Sequence, residues 1–317
     1  MKNNPGASAL KTAVIGTGYL GKFHAQKYAR LAACDLVAVV DNHAETRAAI
    51  AAEHGTEALA DHRALAGQVD AVSIATPTQT HFEVARDFLE AGTHVLVEKP
   101  MTVTAEQAQT LIEIADANSL ILQVGHLERF NPALRAVEHH LNTPLFIESH
   151  RLAPYTPRGT DVNVVLDLMI HDIDIILSMV GSDLDHIDAS GAVVISSEID
   201  IANARLRFAN GCVANVTASR VSDKSERRMR FFQKDTYVAV DFQGNAAKVC
   251  QKGEQLNEHG VPDIVCEDFP QEKGDAILAE IEAFCAAIQN GTQPLVSGRD
   301  GKRALETAID ISAQLSA

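Results

Sequence analysis

The chain has 317 residues, of which 46% are hydrophobic and 22% are charged, and it is long enough for two domains of roughly 150 residues each. Its formal net charge of −15 argues against a nucleic-acid partner, because such proteins need a basic surface to contact phosphate. No segment approaches the ~20 continuous apolar residues of a membrane span, and the N-terminal residues lack the apolar run of a secretory signal. We therefore expect a cytoplasmic protein with no membrane partner.

Five cysteines are scattered along the chain, without a Cys-x-x-Cys pair or a histidine at metal-ligand spacing. An odd number of cysteines without a pattern is typical of reduced thiols in the cytosol. We therefore expect neither a disulfide framework nor a zinc site. The residues are Cys34, Cys212, Cys250, Cys266 and Cys285.

Roughly the first 125 residues alternate short apolar runs with helical patterns, which is typical of a parallel α/β sheet. The runs are apolar on both faces, as expected for a sheet that helices cover on each side. Helices are predicted from about Leu20 to Leu31 and over Thr104–Ala117. Strands are predicted at Thr12–Ile15, Asp35–Val40, Asp70–Ala75, Thr93–Val97 and Leu120–Val124.

The pattern changes from about Leu145 onward. An apolar helix is predicted over Val164–Val180, and two more helices are predicted near 275–290 and 299–316. Between the first and second of these helices, runs of alternating apolar and polar residues that are separated by turn residues indicate antiparallel hairpins. The strands are predicted at Phe146–Arg151, Ile201–Phe208, Cys212–Arg220, Arg228–Gln233, Tyr237–Asp241 and Ala247–Gln251. The polar segment 253–274 is interpreted as a loop.

A glycine-rich fingerprint lies between the first predicted strand and the first predicted helix. Gly16, Gly18 and Gly21 form the pattern Gly-x-Gly-x-x-Gly, which gives a tight turn, a close backbone approach to pyrophosphate and close helix–strand packing. Asp41 ends the second strand ~20 residues further on, where a carboxylate accepts hydrogen bonds from the ribose hydroxyls. Because this carboxylate repels a 2′-phosphate, we predict NAD rather than NADP, a preference that Arg47 would weaken. The alternative is a glycine-rich turn that binds no ligand.

Lys99 lies in the sequence Glu98-Lys99-Pro100, directly after the strand that ends at Val97. Ligands of open α/β sheets bind at this edge of the sheet. A lysine that is partly desolvated beside a cofactor has a lowered pKa that suits general acid–base catalysis. Lys99 is therefore a candidate catalytic residue, and the alternative is a solvated lysine at a strand end.

The predicted helix Val164–Val180 is apolar nearly all round, so it should be buried. Four polar residues nevertheless recur at intervals that place them on one stripe. They are Asp167, His171, Asp174 and Ser178. Buried carboxylates and imidazoles are costly unless they are paired or line a hydrated site, so the stripe is a candidate catalytic wall. The alternatives are a metal site and a satisfied interior network; because hydride transfer to NAD needs no metal, we expect none.

These motifs together resemble the Gfo/Idh/MocA family of oxidoreductases. The resemblance rests on AVIGTGYLGKFHAQ (13–26), SIATPTQTHFEVA (73–85), HVLVEKPMTVTAEQA (94–108), VVLDLMIHDID (164–174) and PLVSGRDGKRALETA (294–308). It implies an α/β enzyme with a doubly wound parallel Rossmann sheet in residues 1–125. It also implies an α+β domain with an open, mostly antiparallel sheet in residues 126–317, whose last helix packs back toward the Rossmann domain.

The family resemblance also implies roles for individual residues. It makes Lys99 and His171 the acid–base pair, with Asp167 orienting them or the substrate, and it makes a cis Lys99–Pro100 bond common. Without the resemblance, His81 is interpreted as a structural residue near a helix start. The resemblance implies that NAD is bound by Gly16, Gly18, Tyr19, Leu20, Gly21, Asp41, Ala75, Thr76, Pro77, His81, Glu98 and Lys99. It further implies homodimers or homotetramers through the flat face of the second sheet.

The sequence VGHLERFNPA (124–133) resembles family members that act on nucleotide-linked sugars. Arginine side chains bind pyrophosphate through paired hydrogen bonds, and an acidic protein must hold such charges locally. The candidate substrate-binding residues are Arg129, Asn131, Arg151, Arg158, Asp167 and His171. The resemblance thus implies NAD-dependent oxidation of C3 of UDP-N-acetylglucosamine to a 3-keto sugar nucleotide, ahead of transamination for lipid A synthesis.

Other functions remain open from the sequence alone. A dehydrogenase of a free sugar or an inositol-like polyol would not need the three arginines, each of which is by itself typical of a solvated surface. An NAD-dependent glycosidase of the same fold would keep NAD bound and release free sugar. A non-catalytic NAD-sensing regulator is disfavoured, because Lys99, Asp167 and His171 are all present.

Overall fold

The protein was analysed as a computed structural model that describes residues 9–156, 162–256, 259–270 and 274–315. These residues form two compact units. One contains the chain up to Leu127 together with Asp275–Lys302, and the other contains Glu128–Gly274 together with the chain from Arg303. The assignment of a cofactor domain and a substrate domain divided at residue 125 stays a prediction.

The first unit is built around a parallel sheet. Its strands are β1 (Leu10–Ile15), β2 (Cys34–Val40), β3 (Glu57–Leu59), β4 (Ala71–Ile74), β5 (His94–Glu98) and β6 (Leu122–Gly125). They lie in the order β3-β2-β1-β4-β5-β6, and all neighbouring strands run parallel. The chain order reverses between β1 and β4, and doubly wound sheets bind ligands at the carboxyl edge of such a point. The predicted doubly wound sheet is confirmed, and the short strand β3 is an addition to it.

Eight α-helices are present in the described part of the chain. They are α1 (Gly21–Tyr28), α2 (Ala44–His54), α3 (Thr78–Glu90), α4 (Ala105–Ala117), α5 (Pro132–Val137), α6 (Ile170–Val180), α7 (Ala276–Asn290) and α8 (Gly298–Leu315). Helix α4 begins with a capping box, in which Thr104 and Gln107 each accept a hydrogen bond from the other's backbone N–H. Helix α7 packs on α1, where Tyr28, Ile281 and Phe284 belong to one buried apolar cluster. The sequence therefore gives the first unit a core between the sheet and its helices.

The second unit contains a larger and mostly antiparallel sheet. Its strands are β7 (Phe146–Leu152), β8 (Leu184–Ala192), β9 (Ile201–Phe208), β10 (Val213–Ser219), β11 (Glu226–Gln233), β12 (Thr236–Asp241), β13 (Ala246–Leu256) and β14 (Pro262–Pro270). They lie in the order β14-β13-β12-β11-β7-β10-β9-β8, and among these neighbours the β7–β10 pair is parallel while the others are antiparallel. The predicted open, mostly antiparallel sheet is confirmed.

Two strands of this sheet differ from the sequence-based expectations. The interpretation of 253–274 as a loop is wrong, because β13 continues to Leu256 and Pro262–Pro270 forms β14. Strand β8 was not predicted either. Both lie at the edges of the sheet, and an edge strand buries too few of its side chains to impose a clear alternation of apolar and polar residues.

The cysteine expectation is also wrong for one pair. Cys250 and Cys266 face each other across β13 and β14 with a Cα–Cα distance of 4.0 Å, and they form a disulfide. This pairing depends on β14, which sequence periodicity did not predict. The other three cysteines are thiols, and the Sγ atoms of Cys34 and Cys285 lie 3.3 Å apart.

The apolar helical segment of the second unit lies against its sheet. A π-helical turn (Val165–Met169) leads directly into α6, and both contact β10. The C-terminal part of α8 joins the same buried cluster through Ala304, Ala308 and Ile311; the predicted packing of this helix toward the Rossmann domain stays a prediction. No helix among the described residues is long and apolar enough to cross a membrane.

Candidate active site

The turn between β1 and α1 matches the requirements of a dinucleotide fingerprint. Gly16 has a φ of +90°, and a Cβ atom built on it would lie 2.7 Å from the carbonyl oxygen of Ala75. A Cβ atom on Gly21 would collide with the carbonyl oxygen of Gly16. By contrast, a Cβ atom on Gly18 would meet nothing within 4 Å. The turn is thus tightly packed at Gly16 and Gly21 and open at Gly18, where a phosphate can approach the backbone.

Asp41 lies at the end of β2 with its carboxylate held in place by neighbouring donors. One oxygen, Oδ2, accepts hydrogen bonds from the N–H and the hydroxyl of Thr17 at 2.7 and 3.0 Å. The other, Oδ1, accepts one from the N–H of His43 at 2.8 Å. Burial raises the pKa of Asp41, but these hydrogen bonds outweigh it and hold the pKa below its usual value. Asp41 is therefore an anion at neutral pH.

A cleft of about 840 Å³ lies along the carboxyl ends of β1, β2 and β4. Its walls include Gly16, Gly18, Asp41, Ala75, Thr76 and Pro77, which all belong to the predicted cofactor set. Arg47 donates hydrogen bonds to the backbone carbonyls of Asp41 and Asn42, so its guanidinium is held by the chain beside the cleft. The open space at Gly18 and the anionic Asp41 fit the pyrophosphate and the ribose hydroxyls of NAD.

The remaining predicted cofactor residues follow β1 and β4 in the chain or lie at the end of β5. Tyr19, 59% exposed, and Leu20 directly precede α1. His81 is buried in α3, where its Nδ1 lies 2.9 Å from the carbonyl oxygen of Pro100 and its Nε2 lies 2.8 Å from that of Thr76. Burial lowers the pKa of His81, although both carbonyls favour the protonated ring. His81 thus connects the loop after β4 to the segment after β5.

Lys99 follows β5 directly and is half-buried. The Lys99–Pro100 peptide bond is cis, as expected. The neighbouring Glu98 accepts a hydrogen bond at 3.1 Å from Nε2 of the buried His24, which lies on α1. The family resemblance implies that Glu98 binds the cofactor, and no local sequence pattern marks His24 as its partner.

The polar stripe of the second unit begins in the π-helical turn. Asp167 lies in that turn, His171 lies in the first turn of α6, and both are half-buried, as is Ser178. Asp174 is buried and lies 3.6 Å from the guanidinium of Arg129. A π-helical turn changes the direction of the side chains it carries and is frequent at functional sites. Asp167 and His171 therefore keep access to solvent, whereas Asp174 belongs to an internal ion pair.

The predicted substrate-binding residues are placed differently from one another. Arg151 is buried, donating to Asp172 through Nε at 3.0 Å and Nη2 at 2.8 Å and to Glu128 through Nη1 at 2.9 Å. Asn131 is the N-cap of α5, and its side chain accepts a hydrogen bond from the N–H of Ala133. These contacts give both residues structural roles that the sequence analysis did not foresee. Arg158 lies outside the described residues.

The acidic partners of Arg151, Glu128 and Asp172, were not among the predicted site residues. Glu128 is three residues before the candidate Asn131 and is one acid among many in an acidic chain. Asp172 lies next to His171 on the apolar helix, where a buried carboxylate signals a need for a cation. Burial raises the pKa of Asp172, while Arg151 opposes that rise. The pair shows that part of the polar content of this helix forms an interior network, one of the alternatives left open above.

Comparisons with known proteins agree with this geometry. Residues 10–126 match the Gfo/Idh/MocA model described as an oxidoreductase family with an NAD-binding Rossmann fold, and residues 134–237 match the model of its C-terminal domain. The predictions of a dehydrogenase and of NAD as its cofactor are thereby confirmed.

Two relatives are similar along nearly the whole chain. UDP-N-acetylglucosamine 3-dehydrogenase of Acidithiobacillus ferrooxidans is 40% identical over 309 residues, which is 97% of this chain and 98% of the relative. A solved structure of that enzyme superposes with a TM-score of 0.91 and covers 98% of both chains. Inositol 2-dehydrogenase of Rhizobium meliloti is 28% identical over 312 residues, or 93% of each protein. The chain therefore belongs to the Gfo/Idh/MocA family of oxidoreductases.

Proposed function

We propose that this enzyme oxidises the C3 hydroxyl of UDP-N-acetylglucosamine to a ketone with NAD. The observation that carries the proposal is the similarity to a UDP-N-acetylglucosamine 3-dehydrogenase, which extends over 97% of this chain at 40% identity. The similarity to an inositol dehydrogenase covers as much of the chain at 28% identity and makes a polyol the second candidate substrate.

The chain's own residues account for cofactor binding. The backbone at Gly16 and Gly18 and the N-terminus of α1 receive the pyrophosphate, because N–H groups and the helix dipole favour negative charge there. The Asp41 carboxylate accepts hydrogen bonds from the ribose hydroxyls and repels a 2′-phosphate. Ala75, Thr76 and Pro77 line the same cleft. When bound, NAD supplies the acceptor for the hydride that leaves C3.

The proton of the C3 hydroxyl must leave as the hydride does, and we assign its removal to Lys99 or His171. Both are half-buried, and the neutral side chain of a lysine or histidine is an effective general base. We assign to Asp167 the orientation of these groups or of the substrate, since it lies one helical turn before His171. The oxidised carbon thus loses a hydride and its oxygen loses a proton, which leaves a ketone.

For the diphosphate of the substrate we favour Arg158 among the predicted arginines. Arg151 is committed to two buried carboxylates, and Arg129 lies beside Asp174 with an exposure of 7%. A guanidinium in such an ion pair would have to lose an acidic partner before it binds phosphate. Asn131 stays a candidate through its side-chain amide, which also donates to the carbonyl oxygen of Phe242 at 3.2 Å.

The wider setting of the enzyme is also proposed. The 3-keto product is a suitable substrate for a PLP-dependent aminotransferase, which places the reaction ahead of transamination for lipid A synthesis in the cytoplasm. We propose a homodimer or homotetramer through the flat face of the second sheet, and no nucleic-acid or membrane partner. The support for these assignments is the family resemblance and the acidic charge of the chain.

Initial rates with NAD test the substrate class. The panel consists of UDP-N-acetylglucosamine, free N-acetylglucosamine, myo-inositol and scyllo-inositol, with a glutamate-dependent aminotransferase present to trap a 3-keto product. We expect NADH formation with the nucleotide sugar and a kcat/KM at least about 100-fold lower for the free sugar, which lacks the diphosphate contacts worth about 3 kcal/mol. Faster turnover of an inositol would assign the second candidate, and release of free sugar without NADH would assign a glycosidase.

A further inference from the structure

Three ionisable side chains converge in the interior of the first unit, directly behind the end of β5. We call His24, Glu98 and Glu280 the buried acidic cluster; they lie on α1, β5 and α7. One nitrogen or oxygen atom of each lies within 4.8 Å of the others. The side chains of His24 and Glu98 are 1% and 12% exposed, and Glu280 is 1% exposed. The proposed catalytic Lys99 is the next residue after Glu98.

Glu280 has no hydrogen-bond donor in this cluster. Among the described residues, none donates to Oε1 or Oε2 of Glu280. The neighbouring Gln123 donates its amide hydrogen to the backbone carbonyl oxygen of Glu280 at 3.2 Å instead. A buried carboxylate without donors is costly in its charged form, because it loses its hydration and gains nothing in return.

Glu98 is by contrast held in position by its neighbours. It accepts the hydrogen bond of His24, and it faces the imidazole of His81 from α3. Gly125 lies opposite Glu98 in the register of β5 and β6, and a Cβ atom on Gly125 would lie 2.9 Å from Oε2 of Glu98. The adjacent strand therefore leaves room for the Glu98 carboxylate, while the hydrogen bond from His24 fixes the direction of that carboxylate.

The charges around Glu280 give no support to its ionised form. The titratable groups that face the cluster are Tyr28 and His24 on α1, His81 on α3 and Glu98 on β5. The thiols of Cys34 and Cys285 lie near Tyr28. Burial and then the charge of Glu98 raise the pKa of Glu280 well above its usual value. The imidazole of His24 already serves Glu98, so a second anion in this place would be repelled by the first.

We propose that Glu280 is a positioning residue: it holds a proton inside the buried acidic cluster, and this neutral form lets the Glu98 carboxylate keep its hydrogen bond to His24 and fix the strand end that carries Lys99. The inference rests on the proposed function for the role of Lys99. The proton on Glu280 is not transferred during the reaction. Because this proton neutralises Glu280, no like charge lies beside Glu98. Glu98 then influences the position of Lys99 through the backbone that joins the two residues.

The protonation of Glu280 is tested by unfolding, without any substrate. Glu280→Gln keeps the size of the side chain and is always neutral, and Glu282→Gln on the exposed face of α7 is the matched control. A group with a raised pKa in the folded state costs stability as pH rises above its unfolded pKa of about 4.3. We therefore expect the unfolding equilibrium constant of the wild type to rise relative to that of Glu280→Gln, by up to about tenfold per pH unit, between pH 5 and pH 8.

Parallel pH curves for wild type and Glu280→Gln would overturn the proposal, because they would show that Glu280 is ionised in the folded protein. Failure of both Glu280→Gln and Glu280→Met to fold, while Glu282→Gln folds, would also overturn it, since a neutral side chain is the proposed native form. The proposal would also be overturned if the wild type retained a divalent metal after dialysis against EDTA and Glu280→Gln lost it. That result would show that a cation, and not a proton on Glu280, neutralises the cluster.

The positioning role is tested by steady-state kinetics with UDP-N-acetylglucosamine. Glu280→Ala leaves space beside Glu98, and we expect kcat to fall by about 10- to 100-fold, the scale of a small misplacement of a reacting group, with the KM for NAD unchanged. Glu280→Gln should restore kcat to within about threefold, and the acid limb of its pH profile should match wild type. Equal losses in both variants would contradict the role. Inactive wild-type protein would refute the proposed substrate and leave the unfolding test of Glu280 intact.

Discussion

Replacing Arg151 by methionine tests whether this arginine is structural, as its contacts indicate, or binds substrate, as the sequence suggested. The change keeps the length of the side chain and removes its charge. It leaves Asp172 and Glu128 without the three hydrogen bonds of the guanidinium. The side chain of Asp172 is 3% exposed, so its charge cannot be hydrated in place. Breaking a buried pair from one side costs about 3–5 kcal/mol, and we expect a loss of this size in the free energy of unfolding.

The assay is urea unfolding followed by circular dichroism, with Arg227→Met as the matched control. Arg227 lies 3.5 Å from the same carboxylate of Glu128, but its side chain is 54% exposed, so its loss should cost at most about 1 kcal/mol. Loss of the guanidinium also raises the pKa of Asp172 further, because the charge and hydrogen bonds of Arg151 no longer oppose the effect of burial. The cost of Arg151→Met should therefore be full at neutral pH and shrink as pH falls toward about 4, where the unfolded chain also protonates the carboxyl group.

Wild-type stability of Arg151→Met would refute this reasoning. A tenfold or larger rise in KM for the nucleotide sugar, without any loss of stability, would return Arg151 to the substrate site. Combining Arg151→Met with Asp172→Leu separates the loss of stability that comes from Asp172 from the loss that comes from Glu128. That double variant removes the stranded charge and should recover part of the lost stability, as buried ion pairs replaced by apolar groups often do.

Three further predictions concern the cofactor, the reaction and the second unit. Asp41→Ala should raise the KM for NAD about tenfold, the scale of one hydrogen bond to a charged acceptor, and improve the relative use of NADP; an unchanged preference would place Asp41 away from the ribose. Lys99→Ala and His171→Ala should each lower kcat by about 10²–10⁴ while NAD binding, measured by fluorescence, persists; wild-type rates in both would remove their assigned roles. Asp200 accepts hydrogen bonds from the backbone N–H groups of residues 194–196 and from the Ser196 hydroxyl, which lower its pKa despite burial. The stabilising effect of the Asp200 carboxylate is complete above the unfolded pKa of about 3.9 and is lost on acidification. The stability difference between wild type and Asp200→Asn should therefore shrink toward low pH, and a constant difference would contradict this assignment.

The sequence predicted the first unit well because its signals are local. The glycine fingerprint, Asp41 and the apolar strands lie in a short stretch of chain, and each element has a clear period or turn. Strand β14 and the Cys250–Cys266 disulfide were missed because an edge strand carries a weak pattern and the disulfide depends on its register. The acidic partners of Arg151 and the proximity of Glu280 to His24 and Glu98 were missed for a different reason. Those contacts join elements that are distant in the chain, and no local spacing shows which buried charges will meet.

We propose that the hydride transferred to NAD comes from C3 of UDP-N-acetylglucosamine. The most direct test is single-turnover reaction with substrate that carries deuterium at C3 alone, followed by mass spectrometry of the reduced cofactor and of the sugar nucleotide. We expect deuterium in the reduced cofactor, a 3-keto product that has lost the label, and a slower rate than with unlabelled substrate. Unlabelled reduced cofactor together with deuterium retained in the oxidised sugar would contradict the assignment of C3.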